Sequence, residues 1–232
     1  MCFSAAVSYA AAGLLIPAGA VAMSRAYQND RQYLAIATLP GLFGFQQLFE
    51  GLLWTAATQG AGSRIQTFSL AYMFFTWLAW PVWVPFATYF VEPCNRRHLY
   101  LVFAILGGML GAMQFIPYFA HEGWLVVKFF DYAISYEGTV LFDSIMHREL
   151  TYVVYLFVIL APLLTSSKRS LNIFGLLILV VIAVTYTFFS YAYISVFCFG
   201  GAVMSAYLIY VVFRETGKKP SSLVPPDTLH TS

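Results

Sequence analysis

The sequence predicts an all-α membrane protein with seven transmembrane helices, because of its composition, its apolar runs and the placement of its basic residues. Of the 232 residues, 60% are hydrophobic and only 9% are charged, and the mean hydropathy is +0.75. Soluble domains average about 25% charged residues, so this chain has too few to cover a surface in water. The composition excludes a soluble enzyme, a disordered chain and a nucleic-acid-binding protein.

Seven apolar runs fit a hydrocarbon core of roughly 30 Å, which a helix of about 20 residues crosses. They cover residues 5–24, 33–57, 66–90, 99–120, 150–165, 171–189 and 192–213. We therefore assign residues 1–214 to one transmembrane domain. The remaining residues, 215–232, are rich in proline and polar residues, and we expect them to form a disordered cytoplasmic tail.

The basic residues predict the orientation of these helices. If the N-terminus lies outside, nine basic residues fall on the cytoplasmic side and three on the outer side. The nine are Arg25, Arg31, Arg96, Arg97, Lys168, Arg169, Arg214, Lys218 and Lys219, and the three are Arg64, Lys128 and Arg148. Cytoplasmic segments are enriched in Lys and Arg, so we predict an outer N-terminus, a cytoplasmic C-terminus and a multi-pass protein of the plasma membrane.

One connection is long: the outer loop 121–149, between the fourth and fifth helices, which holds five of the ten acidic residues. Its residues 126–136 are rich in aromatic and β-branched types, and Glu137-Gly138 resembles a turn before residues 139–142. This pattern predicts a short β-hairpin with its turn at Glu137 and Gly138. An aromatic loop of this length is either a lid over a cavity or packing on the helix ends.

Glu50 is the only ionisable residue that falls within a predicted span. A charged side chain near mid-membrane costs roughly 2.5–3.5 kcal/mol on insertion scales, and such a residue indicates a functional site. Gln46, Gln47 and Trp54 recur at three- and four-residue steps from Glu50 and share its helical face. We expect this polar stripe to point into the bundle.

Other helices offer polar groups at the depth of Glu50, counted at about 1.5 Å of rise per residue. Gln114 in the fourth span and Cys198 in the seventh fall in the same layer. We therefore predict an outward-facing pocket with the ligand-binding residues Gln46, Gln47, Glu50, Trp54, Gln114 and Cys198. The alternative for the glutamines is that they only join helices through hydrogen bonds.

The third span contains Trp77, Trp80 and Trp83 together with Pro81 and Pro85. Prolines four residues apart remove two backbone donors and predict a kink. The three indoles either form an aromatic cage for a cationic ligand or serve as packing and interfacial anchors.

No metal site and no cofactor are predicted. The weak candidates for metal ligands are Cys2 in the N-terminal segment and His121 and His147 in the outer loop. Cys2 and Cys198 either form a disulfide or remain free thiols. All four lysines lie outside the spans, which excludes a retinal Schiff base.

Several motifs together resemble a bacterial family of small seven-helix integral membrane proteins of unknown function. They are the opening Met1-Cys2-Phe3-Ser4, the stripe from Phe45 to Trp54, the run from Trp80 to Pro85 and the segment from Ser195 to Phe199. At Phe197 the family more usually has Trp, so an indole N–H is missing here. The resemblance implies a protein of the bacterial inner membrane and brings Cys2, the Gln-Gln-Glu stripe and Cys198 together, and it implies no activity.

From these observations we expect a protein that binds a small-molecule ligand of unknown identity in an outward-facing pocket, as a sensor or a carrier. Its partners would be the lipid bilayer and either a second copy of the chain or a cytoplasmic signalling protein, since no output domain is present. The alternative is an intramembrane enzyme with Glu50 as general acid/base and the thiolate of Cys2 or Cys198 as nucleophile. A scaffold subunit is the third hypothesis, and the sequence does not decide whether the protein is an enzyme.

Overall fold

The computed structural model describes residues 4–121, 123–131, 133–138 and 148–217, and within them the chain forms seven long helices and one antiparallel strand pair. The helices are α1 (Ala5–Asn29), α2 (Leu34–Thr58), α3 (Gly62–Val91), α4 (Arg97–Ala120), α5 (Arg148–Leu164), α6 (Arg169–Phe188) and α7 (Tyr193–Thr216). The strands are β1 (Leu125–Phe130) and β2 (Ala133–Gly138). The predicted count of seven helices is confirmed for these residues.

Five helices, α1, α3, α4, α6 and α7, are long and apolar enough to cross a membrane. Helix α5 is apolar but shorter, and α2 is long but carries Gln46, Gln47 and Glu50, which lower its hydropathy. These three side chains have no exposed surface, whereas apolar residues such as Leu14 and Phe157 are 72% and 60% exposed. Polar side chains therefore lie inside the bundle, while apolar ones cover its outer faces.

Helix α2 packs against α1, α3 and α7. Glycines let α1 and α2 approach closely, as small residues commonly do between membrane helices. A Cβ added to Gly19 would lie 2.6 Å from the backbone nitrogen of Gly41, and one added to Gly44 would lie 2.8 Å from Ile16. Helix α4 packs on α3 and α5, and α6 packs on α5 and α7.

Helix α3 is not a regular α-helix along its whole length. The segment Phe74–Ala79 is wound as a π-helix, in which the N–H of Trp80 donates to the carbonyl of Phe75. It ends two residues before Pro81, and neither Pro81 nor Pro85 can donate the backbone hydrogen bond of an α-helix. The helix for which the sequence predicted a kink therefore contains a π-helical segment, a feature that is frequent at functional sites.

Two glycines of α4 match the two prolines of α3 in spacing. A Cβ added to Gly107 would collide with the carbonyl oxygen of Pro81, and one added to Gly111 would collide with the carbonyl oxygen of Trp77. The carbonyl of Pro81 lies four residues before Pro85, and the carbonyl of Trp77 lies four residues before Pro81. In a regular α-helix each would accept a hydrogen bond from the N–H group that the proline lacks. The backbone of α4 thus lies directly on the irregular part of α3.

The hairpin is confirmed, but its predicted turn is wrong. Strands β1 and β2 pair in antiparallel register from Leu125 opposite Gly138 to Phe130 opposite Ala133, so the chain reverses between Phe130 and Ala133. Asp131, a residue type that favours turns, follows β1 directly. Glu137 and Gly138 lie at the end of β2 instead, and residues 139–147 are outside the described part of the chain.

The hairpin covers one end of the bundle, which we call the hairpin end. Strand β2 packs on α7, β1 packs on α3, and the ring of Trp54 lies 5.8 Å from that of Phe129. The opposite end carries most of the basic side chains: Arg25, Arg31, Arg96, Arg97, Lys168, Arg169 and Arg214. Helix α7 ends there at Thr216, and the rest of the predicted tail from residue 218 lies outside the described residues.

We expect Gly107→Ala to lower the free energy of unfolding by roughly 1–3 kcal/mol, because the new methyl group meets a backbone carbonyl that cannot move aside. The matched control is Gly108→Ala, whose Cβ would meet only a side-chain atom of Val82 at 3.4 Å. Alanine favours a helix over glycine, so this variant should be neutral or slightly stabilised. Unfolding of the purified protein in detergent measures both, and equal stability of the two variants would contradict the expectation.

Candidate functional site

Glu50 is completely buried on α2, and its two carboxyl oxygens have different surroundings. The hydroxyl of Ser195 on α7 donates a hydrogen bond to Oε1, whereas Oε2 makes no hydrogen bond of ordinary geometry with a described residue. The amide of Gln47, one turn earlier, lies beside the carboxyl group. Neither Nε2 nor Oε1 of Gln47 makes a hydrogen bond of ordinary geometry in this part of the chain.

Gln46 is the centre of a hydrogen-bonded chain that joins α2 to α3. Its Nε2 donates to Oγ1 of Thr76 over 3.1 Å, and its Oε1 accepts from the indole nitrogen of Trp80 over 3.0 Å. The hydroxyl of Thr76 also contacts the Sγ of Cys198 on α7 at 3.7 Å. One threonine in the π-helical segment therefore connects three helices.

Tyr72 and Tyr136 bring two more hydroxyl groups to the same region. Their rings stack with centroids 4.9 Å apart and planes inclined by 6°, so the hairpin is held against α3. Neither hydroxyl makes a hydrogen bond of ordinary geometry with a described residue, although that of Tyr72 lies beside the thiol of Cys198, and both hydroxyls are within electrostatic range of Glu50 and Cys198. Burial raises the pKa of Tyr136 well above its ordinary value, so this hydroxyl stays protonated at neutral pH.

These side chains form a continuous group that we call the polar core. It draws on α2, α3, α7 and β2, and several of its atoms have no protein partner, although buried polar atoms in folded proteins nearly always have one. Its members are Gln46, Gln47, Glu50, Tyr72, Thr76, Tyr136, Ser195 and Cys198.

A cavity of about 460 Å³ lies between α3, α5, α6 and α7 at the hairpin end. This volume is within the range of small-molecule sites. Its wall is mainly aromatic and aliphatic, and exposed residues such as Glu149 and Tyr186 lie at its mouth. The lining residues are Thr76, Trp77, Glu149, Tyr152, Val153, Tyr155, Leu156, Ile182, Thr185, Tyr186, Tyr193, Ile194 and Phe197.

Thr76 belongs to both the cavity and the polar core. Its side chain lines the cavity while its hydroxyl bonds with Gln46 and Cys198. Its carbonyl accepts a hydrogen bond of 2.5 Å from the hydroxyl of Tyr155, which also lines the cavity. Thr76 is therefore a structural link between the cavity wall and the polar core.

Four of the six predicted ligand-binding residues, Gln46, Gln47, Glu50 and Cys198, come together in the polar core. Trp54 packs against the hairpin, with its indole nitrogen unpartnered in the described chain. Gln114 is 1% exposed on α4 and makes no hydrogen bond with a described residue. None of the six lines the 460 Å³ cavity.

The three tryptophans of α3 point to three separate places. Trp77 lies in the cavity wall, 5.2 Å from the ring of Tyr155, and Trp80 bonds to Gln46. The indole nitrogen of Trp83 donates to Thr38 over 2.7 Å. The aromatic cage is therefore wrong, and each indole packs or bonds where its own turn of α3 places it.

Only one of the weak metal candidates, His121, lies among the described residues. His121 stacks on Trp124 at 4.4 Å, while Cys2 and His147 lie outside the described part, as does the disulfide hypothesis for Cys2. No group of three His, Cys, Asp or Glu residues that could hold a metal ion occurs among the residues described.

The enzyme hypothesis requires Glu50 within hydrogen-bond reach of a thiol. In the structure Glu50 bonds with Ser195, and Cys198 contacts Thr76, with no hydrogen bond between the carboxyl group and this thiol. The polar core therefore does not present these two residues as a hydrogen-bonded acid/base and nucleophile pair.

Sequence reasoning did not identify Ser195, Thr76, Tyr72 or Tyr136 as site residues. It also missed Glu92, which follows α3 and is 1% exposed. The hydroxyl of Ser166 donates to Oε1 of Glu92, and the backbone N–H of Ser167 donates to the same atom over 2.9 Å. An acidic residue beside the basic pair Arg96-Arg97 was the available signal for Glu92.

The fold and its buried polar core define the class: a helical bundle whose apolar helices are those of a membrane protein. The chain belongs to a family of unknown function, DUF6629, whose model matches residues 1–222. A family without an assigned function is what the resemblance in the sequence implied. No curated protein and no solved structure matches the chain.

Ser195→Ala should lower the free energy of unfolding by about 1–3 kcal/mol, because it removes the hydrogen bond to a fully buried carboxyl group. Ser205→Ala is the matched control on the same helix. Ser205 is equally buried but bonds only to the carbonyl of Ala202 in its own helix. Denaturation in mixed micelles compares the two, and a loss in Ser195→Ala no larger than in Ser205→Ala would contradict the role given to Ser195.

Proposed function

We propose that this protein is a seven-span membrane protein that binds a small, largely apolar ligand, as a sensor or a carrier. The observation that carries the proposal is the 460 Å³ cavity that shares Thr76 with the polar core. Small-molecule sites are typically concave and apolar, with a few polar groups that orient the ligand. This cavity has that composition, and the polar core lies directly behind it.

The residues around the cavity favour an aromatic or aliphatic ligand with one polar or cationic group. Six of the thirteen lining residues are aromatic: Trp77, Tyr152, Tyr155, Tyr186, Tyr193 and Phe197. Aromatic faces attract cations, and the carboxylate of Glu149 lies at the mouth. A small aromatic amine therefore matches the cavity better than an anion does.

Thr76 gives the polar core a means of responding to the ligand. A ligand that bonds with the hydroxyl of Thr76 competes with Gln46 and Cys198 for it. Such competition favours one arrangement of the helices over another, which is how a ligand shifts a conformational equilibrium. In a carrier Glu50 would take up or release charge during this change, and in a sensor the change would pass to a second copy of the chain or to a cytoplasmic partner.

The proposed orientation places the hairpin end outside. The opposite end, which carries most of the basic side chains and is called the basic end, lies in the cytoplasm, and α2 and α5 also cross the plasma membrane. The cluster of basic side chains at one end supports this orientation. In this arrangement the mouth of the cavity faces the outer side.

Filling the cavity should weaken ligand binding at least tenfold. Ile182 on α6 lines the cavity, so Ile182→Trp places an indole in the space proposed for the ligand. Ile173→Trp serves as the control, because Ile173 lies on the same helix but its side chain is 37% exposed and does not line the cavity. A panel of aromatic amines and uncharged compounds of equal size, titrated against the protein in lipid nanodiscs, would show binding as a rise in the unfolding temperature. Equal binding by both variants, or none by the wild type, would refute the cavity as the site.

A carrier transports its bound compound across the membrane, whereas a sensor only binds it, so an uptake measurement distinguishes the two. A carrier should accumulate the bound compound in proteoliposomes, and Glu50→Gln should abolish accumulation while Glu92→Gln, at the other buried carboxyl group, should not. Binding without accumulation in the wild type would support the sensor.

The proposed orientation predicts from which side of the membrane a reagent can reach the thiol of Cys94. This thiol is exposed in the connection between α3 and α4, whereas Cys198 is buried. In a Cys2→Ser background, a membrane-impermeant maleimide should label inside-out vesicles and leave right-side-out cells unlabelled. Labelling of intact cells would reverse the orientation.

A further inference from the structure

We propose that Glu50, Gln47, Tyr72 and Tyr136 form a binding site for a monovalent cation at the hairpin end of the polar core. This site is distinct from the apolar cavity, and a cation would bind in it with or without a ligand in that cavity. The site is defined by the arrangement of buried oxygen atoms and by their charge.

Four oxygen atoms from three elements are buried and make no hydrogen bond of ordinary geometry with a described residue. They are Oε2 of Glu50, Oε1 of Gln47 and the hydroxyl oxygens of Tyr72 and Tyr136. The first three residues have no exposed surface, and Tyr136 is 8% exposed. Buried polar atoms nearly always have a partner, and a bound ion would supply one to these oxygens of neighbouring residues.

Contacts and electrostatic interactions place these residues near one another. Gln47 lies beside the carboxyl group of Glu50, the rings of Tyr72 and Tyr136 are stacked, and both tyrosines are in electrostatic range of Glu50. Ser195 holds the other oxygen of the carboxyl group. Oε2 is therefore the oxygen of Glu50 that is available to a bound ion.

The charge of the site favours a monovalent ion. Glu50 is its one carboxylate, and no Lys, Arg or His in the described chain forms an ion pair with it. A single positive charge would neutralise the site, whereas a divalent ion would leave a net charge buried among apolar helices, which is costly. The four candidate ligands are all oxygens, which suit hard cations such as Na⁺ and K⁺ rather than soft metals.

The position of Tyr136 gives the site a structural consequence. Its hydroxyl comes from the hairpin, while the other three ligands come from α2 and α3. A cation bound between them would join the hairpin to the helices. Binding should therefore stabilise the protein as a whole, and stability is a direct measure of it.

The test is thermal unfolding of the purified protein in nanodiscs, with NaCl or KCl replaced by N-methylglucamine chloride at constant ionic strength. We expect a saturable rise in unfolding temperature with at least one alkali cation and its loss in Glu50→Gln. Tyr72→Phe and Tyr136→Phe keep the ring stack and remove one ligand each, so each should raise the half-saturating concentration about tenfold. Equilibrium binding of radioactive sodium or of the potassium analogue rubidium should change in parallel.

Glu92→Gln is the matched control, because Glu92 is also buried and bonded to a serine but lies at the basic end. It should retain the cation-dependent rise. The proposal is overturned if N-methylglucamine stabilises as well as the alkali cations, if stability responds to pH alone, or if both phenylalanine variants keep the wild-type half-saturation. These outcomes are separate from ligand binding in the cavity, which Ile182→Trp tests.

Discussion

The burial of one carboxyl group determines how this bundle is arranged. Glu50 has no exposed surface, and a carboxyl group in an apolar environment is costly unless it is hydrogen-bonded. Helix α2, which carries it, therefore packs against α1, α3 and α7, and Ser195 of α7 bonds to the carboxyl group. The long helix whose composition suits lipid least thus has its polar side chains enclosed by its neighbours.

The second determinant is the fit between the prolines of α3 and the glycines of α4. Pro81 and Pro85 cannot complete the backbone hydrogen bonds of an α-helix, and Gly107 and Gly111 let α4 lie against the carbonyls concerned. The π-helical segment on the N-terminal side of Pro81 carries Thr76 and Trp77. An irregularity of the backbone thus places one residue between the cavity and the polar core.

Residue patterns predicted the helices and the inward stripe because both follow from local chemistry. Gln46, Gln47 and Glu50 stand out in an apolar run, and their spacing assigns them to one face. Ser195 and Thr76 could not be recognised in this way, since hydroxyl residues in helices commonly bond to their own backbone, as Ser205 and Thr88 do here. The turn of the hairpin was predicted at the wrong place because the local sequence is compatible with a turn at Glu137-Gly138 and also with the observed reversal after Phe130.

The sequence by itself determined the apolar helices, the scarcity of charge inside them and the singular position of Glu50, since these depend on composition and on the 3.6-residue period. Tertiary structure alone decided which hydroxyl bonds to Glu50, that Tyr72 and Tyr136 stack beside it, and that the cavity is lined by other residues than the predicted ones. The reason is physical: partners such as Glu50 and Ser195 are separated by 145 residues, and only the packing of helices brings them together.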